Sequence, residues 1–155
     1  MKVSVIGAGL AGCEAAWQLA KRGFFVDLYE MKPEKRSPAH HSDGLAEIVC
    51  SNSLKSNEIT NACGLLKQEL RLTGSMLMNV ADCVKVGAGA ALAVDREEFS
   101  VCVTTAIKAH PRIKIISGVV DKLPEGDVII ATGPLTDEAL MPDIEKICGG
   151  RGLLH

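Results

Sequence analysis

The sequence predicts an α/β fold of the Rossmann type, with a parallel sheet and an inserted helical segment. Three observations carry that prediction. A glycine-rich turn, Gly7-Ala8-Gly9-Leu10-Ala11-Gly12, lies between an apolar run and a helical pattern; an acid, Glu30, ends the next apolar run; and a third apolar run leaves through Ala131-Thr132-Gly133.

The elements follow in order. Val3-Ser4-Val5-Ile6 reads as a buried strand. Gly7 then allows a tight turn, Gly9 lets backbone approach a phosphate with no Cβ in the way, and Gly12 lets the following helix pack close to the sheet. The helix runs over 11–22 with Ala15, Ala16 and Leu19 on one face and Gly23 placed to end it. Its leading N–H groups and positive dipole end suit an anion. Residues 24–29 form a second strand, and Glu30 stands where such folds accept hydrogen bonds from a ribose diol; a 2′-phosphate would be repelled there. The plain alternative is a glycine-tolerant turn with an ordinary surface glutamate.

Residues 31–61 are rich in Pro, His, Ser and Asn and carry no long period, as functional insertions often do. Helical spacing returns over 62–72 through Leu65, Leu66, Glu69 and Leu70, and over 75–86 through Met76, Val80 and Val84, both read as core-facing. Residues 87–94 are a small-residue turn entering a strand. Asp95 can cap the next helix and Glu98 can close the capping box, and Pro111 stops that helix after His110. Short strands are expected at 113–117 and 118–120, then a turn at 124–127 and a strand at 128–131.

A strand ending in Ala131-Thr132-Gly133, far downstream of a glycine-rich first turn, is the arrangement of two-dinucleotide-binding flavoproteins. It favours FAD over NAD, although taken alone it is also a simple strand-to-loop exit.

The 155 residues suffice for one well-buried domain, expected over 1–140 with the insertion at about 31–88 and a divergent tail at 141–155. Seventeen basic and 19 acidic residues, with no dense Lys/Arg run, argue against this segment supplying most of the affinity for any RNA. Lys2 before an apolar run mimics a secretory signal, but Glu14 and Gln18 interrupt it, and no apolar stretch reaches membrane-spanning length. Six cysteines without a Cys-x-x-Cys pair read as free thiols in a reducing cytoplasm. His40 and His41 precede Cys50, but no second spaced pair completes a metal site, and none is expected.

Several segments together resemble one family. They are residues 5–12 with Glu14-Ala15-Ala16-Trp17, Leu28-Tyr29-Glu30-Met31-Lys32-Pro33, Pro38-Ala39-His40-His41 and Val49-Cys50-Ser51-Asn52-Ser53-Leu54. They continue as Asn61-Ala62-Cys63-Gly64-Leu65-Leu66-Lys67, Ala91-Leu92-Ala93-Val94-Asp95-Arg96 and Ile130-Ala131-Thr132-Gly133-Pro134-Leu135-Thr136. In this order the chain, to about residue 140, resembles the folate- and FAD-dependent tRNA (uracil-5-)-methyltransferases, TrmFO.

The resemblance implies a flavoenzyme that takes a one-carbon unit from methylenetetrahydrofolate to C5 of a uridine in the tRNA T-loop, with NAD(P)H as reductant. It implies that Cys50 is the reactive thiol, adding to uracil or stabilising a flavin adduct, against the alternative of a small residue buried near the flavin. It places Met31, Ser51, Asn52 and Ser53 with the cofactor and His40 and His41 with the substrate, each histidine having a loop-packing alternative. Asp95 and Arg96 can reach the cofactor's ribose or phosphates, though a helix cap alone explains Asp95. Trp17 is expected to pack the first helix on the sheet. Family members are much longer, and Cys148-Gly149-Gly150-Arg151-Gly152-Leu153-Leu154-His155 does not resemble their continuation. The expectation is therefore a truncated chain that binds FAD but does not transfer methyl groups alone. It would need its missing half in trans and would be prone to self-association through apolar surface left bare.

Overall fold

The computed structural model describes residues 1–149. The chain opens with β1 (Lys2–Ile6), α1 (Leu10–Lys21) and β2 (Phe25–Glu30). Val3, Val5, Ile6, Val26 and Leu28 are all buried, as strands covered on both faces must be. Next come β3 (Ser53–Ser56), α2 (Ala62–Leu72), α3 (Met76–Cys83), β4 (Lys85–Val86) and β5 (Ala91–Val94). The rest is α4 (Arg96–Ala109), β6 (Ile113–Ser117), β7 (Asp127–Ile130), a single 3-10 turn (Gly133–Leu135) and α5 (Met141–Ile147).

Four strands form a parallel sheet in the order β6-β2-β1-β7, with Ile6 opposite both Tyr29 and Ile130. That register brings the Gly7 turn, Glu30 and Ala131 to one edge, at the carboxyl ends of the strands where open α/β sheets bind ligands. A core around Val5, Ala16, Leu28, Phe99, Val103 and Ile107 joins α1 and α4 to the sheet. Trp17 packs against that core and meets His110 edge-on, with ring centroids 5.1 Å apart.

The insertion differs from the expected helical segment in carrying a second sheet, antiparallel, in the order β3-β5-β4. Neither β3 nor β4 has an alternating pattern long enough to announce it. Helix α3 ends at Cys83 rather than at residue 86, because Lys85 and Val86 pair with Val94 and Ala93 instead. Residues 118–120 are not a strand: β6 stops at Ser117, and Gly118 turns away at φ +131° while its N–H donates to the Glu30 carbonyl (2.9 Å). Glu98 does not close a capping box. Asp95 Oδ1 accepts the Glu98 N–H (2.9 Å), but the Asp95 N–H goes to the Val84 carbonyl (3.1 Å), so sheet pairing has claimed the group the box would use. Helix α5 lies within the segment read as a divergent tail, and Asp143 on it accepts the Leu123 N–H (2.9 Å).

Helix α2 packs Leu70 against the core as expected but turns Leu65 and Leu66 outward. Leu65 and Leu66 are 46% and 56% exposed, while Gly64 and Lys67 are buried. The cause is close contact with the turn before it: a Cβ at Gly64 would lie 1.9 Å from the Glu58 carbonyl oxygen. Lys67 Nζ donates to the carbonyls of Ser56 (2.9 Å) and Cys63 (3.0 Å), and burial pulls its pKa down. Helix α3 is capped by Ser75 and by a residue far away in sequence. Glu14 on α1 accepts from the Ser75 hydroxyl (2.9 Å) and from the N–H groups of Leu77 (3.0 Å) and Met76 (3.3 Å). That places a carboxylate at the positive end of a helix whose own first turn has none.

Candidate nucleotide-binding cleft

The carboxyl ends of β1, β2 and β7 open into a cavity of about 280 Å³. Residues 7–11, 29–31, 118–120 and 131–135 line it, with His40 and Val49 contributed by the insertion.

Each glycine of the first turn has its own role. Gly7 sits at φ +95° with its N–H on the Tyr29 carbonyl (2.9 Å), and a Cβ there would come within 2.7 Å of the Ala131 oxygen. At Gly12 an added Cβ would lie 1.7 Å from the Gly7 oxygen. These two hold β1, α1 and the Ala131 exit in contact. Gly9 is different: a Cβ would meet nothing within 4 Å, and the residue lines the cleft, so its missing side chain leaves room for a ligand and not for protein. It caps α1 with no side-chain acceptor. The N–H groups of Leu10, Ala11 and Gly12 consequently have no acceptor among the described residues, which makes the first turn of α1 a cradle for an anion.

Ala8 lines the cleft but is held by its neighbours. Its N–H donates to Glu30 Oε2 (3.1 Å), and its carbonyl accepts from the Ala46 N–H (2.9 Å) and the Cys13 thiol (3.2 Å). Glu30 also accepts the Lys32 N–H at Oε1 (3.0 Å). Each carboxylate oxygen thus spends one lone pair on the chain and keeps another for hydroxyl groups in the cleft. Desolvation, reinforced by the nearby Glu30, pushes the Cys13 thiol up to about 12. At neutral pH this sulfur is held as the unreactive thiol. Iodoacetamide should label the exposed Cys50, Cys83 and Cys148 in the native chain and spare Cys13 until it unfolds, as peptide mass spectrometry would show.

The far wall is built by the Ala131-Thr132-Gly133 exit. The Ala131 N–H continues the ladder to Ile6 (2.8 Å), Gly133 takes φ +71°, and the Thr132 and Thr136 hydroxyls lie 2.5 Å apart. At the rim Lys35 pairs with Asp137 (2.5 Å), and the ammonium holds that carboxyl below its ordinary value. The insertion is tied in by the buried Lys32, whose ammonium donates to the Gly44 carbonyl (2.5 Å) and lies 3.5 Å from Glu47 Oε2. Burial pushes the Glu47 carboxyl up, but the His41 N–H, the Lys32 ammonium and the Ser42 N–H outweigh it and leave it lowered.

The expected site residues separate into two groups. Gly7, Ala8, Gly9, Leu10, Ala11, Glu30, Met31, His40, Ala131, Thr132 and Gly133 meet around the cleft. Gly12 packs beneath it, and the exposed His41 is outside it. Cys50, Ser51, Asn52, Asp95 and Arg96 line a separate cavity of about 500 Å³ together with Val86, Val94 and Glu97. Ser53 opens β3 opposite Ala93. Asp95 is the α4 cap, the plainer of its two readings. Val119, Val120 and Leu140 are cleft residues that no sequence motif marks; Gly118 after an apolar strand is the available signal, since it repeats the exit made at Gly133. Among the described residues no cluster of three or more His, Cys, Asp or Glu side chains is placed to hold a metal ion. No described helix is long and apolar enough to cross a membrane.

Comparison with known proteins agrees with this geometry. The family model for glucose inhibited division protein A matches residues 2–153. The methylenetetrahydrofolate--tRNA-(uracil-5-)-methyltransferase TrmFO of Pelobacter propionicus is 59% identical over 150 residues, 96% of this chain and 33% of that protein. The Bacillus subtilis protein of the same name is 56% identical over 147 residues, 95% and 34% of the two chains. The chain thus spans about a third of the length of these curated relatives. Among solved structures, NikD, an amino acid oxidase of nikkomycin biosynthesis, aligns over 90% of this chain and 53% of its own with a TM-score of 0.52 and 16% identity, a likeness of fold.

Proposed function

This chain belongs to the glucose inhibited division protein A family, and we propose that it is the FAD-binding amino-terminal part of a methyltransferase that forms 5-methyluridine in the tRNA T-loop. The observation that supports this most is the cradle at Gly9, where an absent side chain, free N–H groups and a buried carboxylate converge on one cleft.

On this reading the N–H groups of Leu10, Ala11 and Gly12 bind the pyrophosphate, and Glu30 accepts hydrogen bonds from the ribose diol. The Ala131–Gly133 backbone closes the opposite side, and Met31 and His40 border the cofactor. When bound, FAD supplies the redox chemistry that carries a one-carbon unit from methylenetetrahydrofolate, with NAD(P)H as reductant. Cys50, exposed in its own cavity beside Ser51 and Asn52, adds as thiolate to C6 of the uracil, which makes C5 nucleophilic. C5 forms the new bond to the one-carbon unit as that unit leaves its carrier, and loss of the C5 proton then expels the Cys50 sulfur and restores the ring double bond. NAD(P)H supplies the two electrons that take the carbon from methylene to methyl. His41, Ser53 and Arg96 belong on this reading to the surface that meets folate or RNA. The nucleotide-binding unit spans 1–140 with its insertion at about 31–88, and it works in the cytoplasm.

An absorbance spectrum of the purified chain and a titration with FAD test the first claim. A flavin band or a saturable titration is the expected result, and a colourless chain with no affinity for FAD would sink it. The chain alone should not methylate tRNA. In a full-length relative, Cys50→Ala should abolish 5-methyluridine while leaving FAD bound.

A second reading, a nucleotide-binding module without catalysis, is favoured by the placement of Cys50 outside the cleft. It predicts no methyl transfer even when the remaining two thirds of a relative is supplied as a separate chain. Exposed Ile59, Leu65, Leu66 and Leu72 give either form an apolar surface around α2. Light scattering should find a mass above 16.4 kDa that falls with dilution.

A further inference from the structure

The geometry points to Ser37 as a positioning residue that sets the tautomer of His40, so that His40 presents an Nε2–H donor to the cleft. Ser37 is 9% exposed, and its hydroxyl oxygen lies 2.6 Å from His40 Nδ1. The same oxygen accepts the Ala39 N–H (3.3 Å), and the Ser37 carbonyl accepts the His40 N–H (3.1 Å), so the serine and the ring are fixed in one tight turn.

The proton count decides the direction of the short contact. A serine hydroxyl has one hydrogen to give, and a neutral imidazole has one N–H and one bare nitrogen. If His40 Nδ1 donated, the Ser37 hydroxyl hydrogen would have no protein acceptor among the described residues. With Ser37 donating to Nδ1, the hydroxyl both gives and accepts. The imidazole hydrogen is then on Nε2, which has no protein partner among the described residues, and His40 is one of the cleft residues. An acceptor atom of a bound ligand is its complement. Only the ligand in this inference rests on the FAD reading; the Ser37–His40 arrangement does not.

Histidine-labelled full chain, examined by long-range ¹H–¹⁵N correlation at mildly alkaline pH, tests the tautomer directly. The expected result is Nε2–H for His40, a mixture of tautomers in Ser37→Ala, and recovery in Ser37→Thr. A wild-type ring carrying its proton on Nδ1, or a Ser37→Ala spectrum unchanged from wild type, overturns the assignment. The wild-type measurement decides even if Ser37→Ala fails to fold.

Addition of FAD to the wild type should shift the His40 Nε2–H resonance. Ser37→Ala should bind FAD several-fold more weakly, and the Ser37→Ala/His40→Ala pair no more weakly than His40→Ala alone. FAD bound with the His40 signals unmoved overturns the donor role. A wild-type chain that does not bind FAD removes the cofactor reading, and the tautomer spectra still decide the role of Ser37.

Discussion

Gly12→Ala should lower the melting temperature by roughly 10 °C. The added methyl would lie 1.7 Å from the Gly7 carbonyl oxygen, which is backbone and cannot rotate away. Relief requires α1 to move off β1. That strips contacts from Cys13 and Ala16, both completely buried, and breaks the bond from the Cys13 thiol to Ala8. Overpacking of a tight core costs about 1–3 kcal/mol where neighbours can adjust, and this site has less freedom than most. A loss of about 3 kcal/mol corresponds to roughly 10 °C in melting temperature for a chain of this size. Thermal unfolding followed by circular dichroism would show it. A variant melting within about 2 °C of wild type would mean that helix and strand are less closely packed than described.

Gly9→Ala, three residues away, should do the reverse: fold normally and lose the ligand. Its φ of −71° suits any residue, and its Cβ would point into open space. Exchange of glycine for alanine at a helix cap costs a few tenths to about 1 kcal/mol, so the melting temperature should hardly move. The cleft would then carry a methyl group where a pyrophosphate must approach the backbone. A clash of about 1.4–2.8 kcal/mol corresponds to a 10- to 100-fold loss of FAD affinity. Titration by flavin fluorescence alongside a melting curve separates the two glycines. Unchanged affinity in Gly9→Ala would place the phosphates elsewhere and remove the main support for the proposed cofactor.

These two glycines also show how far the sequence could be read. The turn from Gly7 to Gly12, the acid at 30 and the exit at 131–133 are local signals whose spacing encodes backbone approach, and they meet in the structure at one edge of the sheet. Helix α2 shows the limit. Its apolar spacing through Leu65, Leu66 and Leu70 argues for a buried face, yet only Leu70 packs on the core, and the turn at Glu58 brings Gly64 and Lys67 inward in place of Leu65 and Leu66. Only a contact between backbone segments decides that orientation, and side-chain period carries no trace of it. The four residues of β3 and two of β4 are too short to show alternation, and their pairing with β5 is made across more than thirty residues in one case. The resemblance groups Cys50, Asp95 and Arg96 with the cofactor, whereas in the structure they line a cavity apart from the cleft.

The hydrogen bond from the Ala46 N–H to the Ala8 carbonyl makes the insertion a working part of the glycine turn. Ala46 is completely buried at φ +50°, and Ser100 on α4 grips the neighbouring Leu45 carbonyl at 2.7 Å. The loop is therefore spliced between helix and turn, and not appended to a finished nucleotide fold. Grafting a different loop between β2 and β3 would hand the recipient a turn with one of its fastenings missing. Loop and glycine turn therefore act as a single structural unit, and redesigning either one means redesigning both.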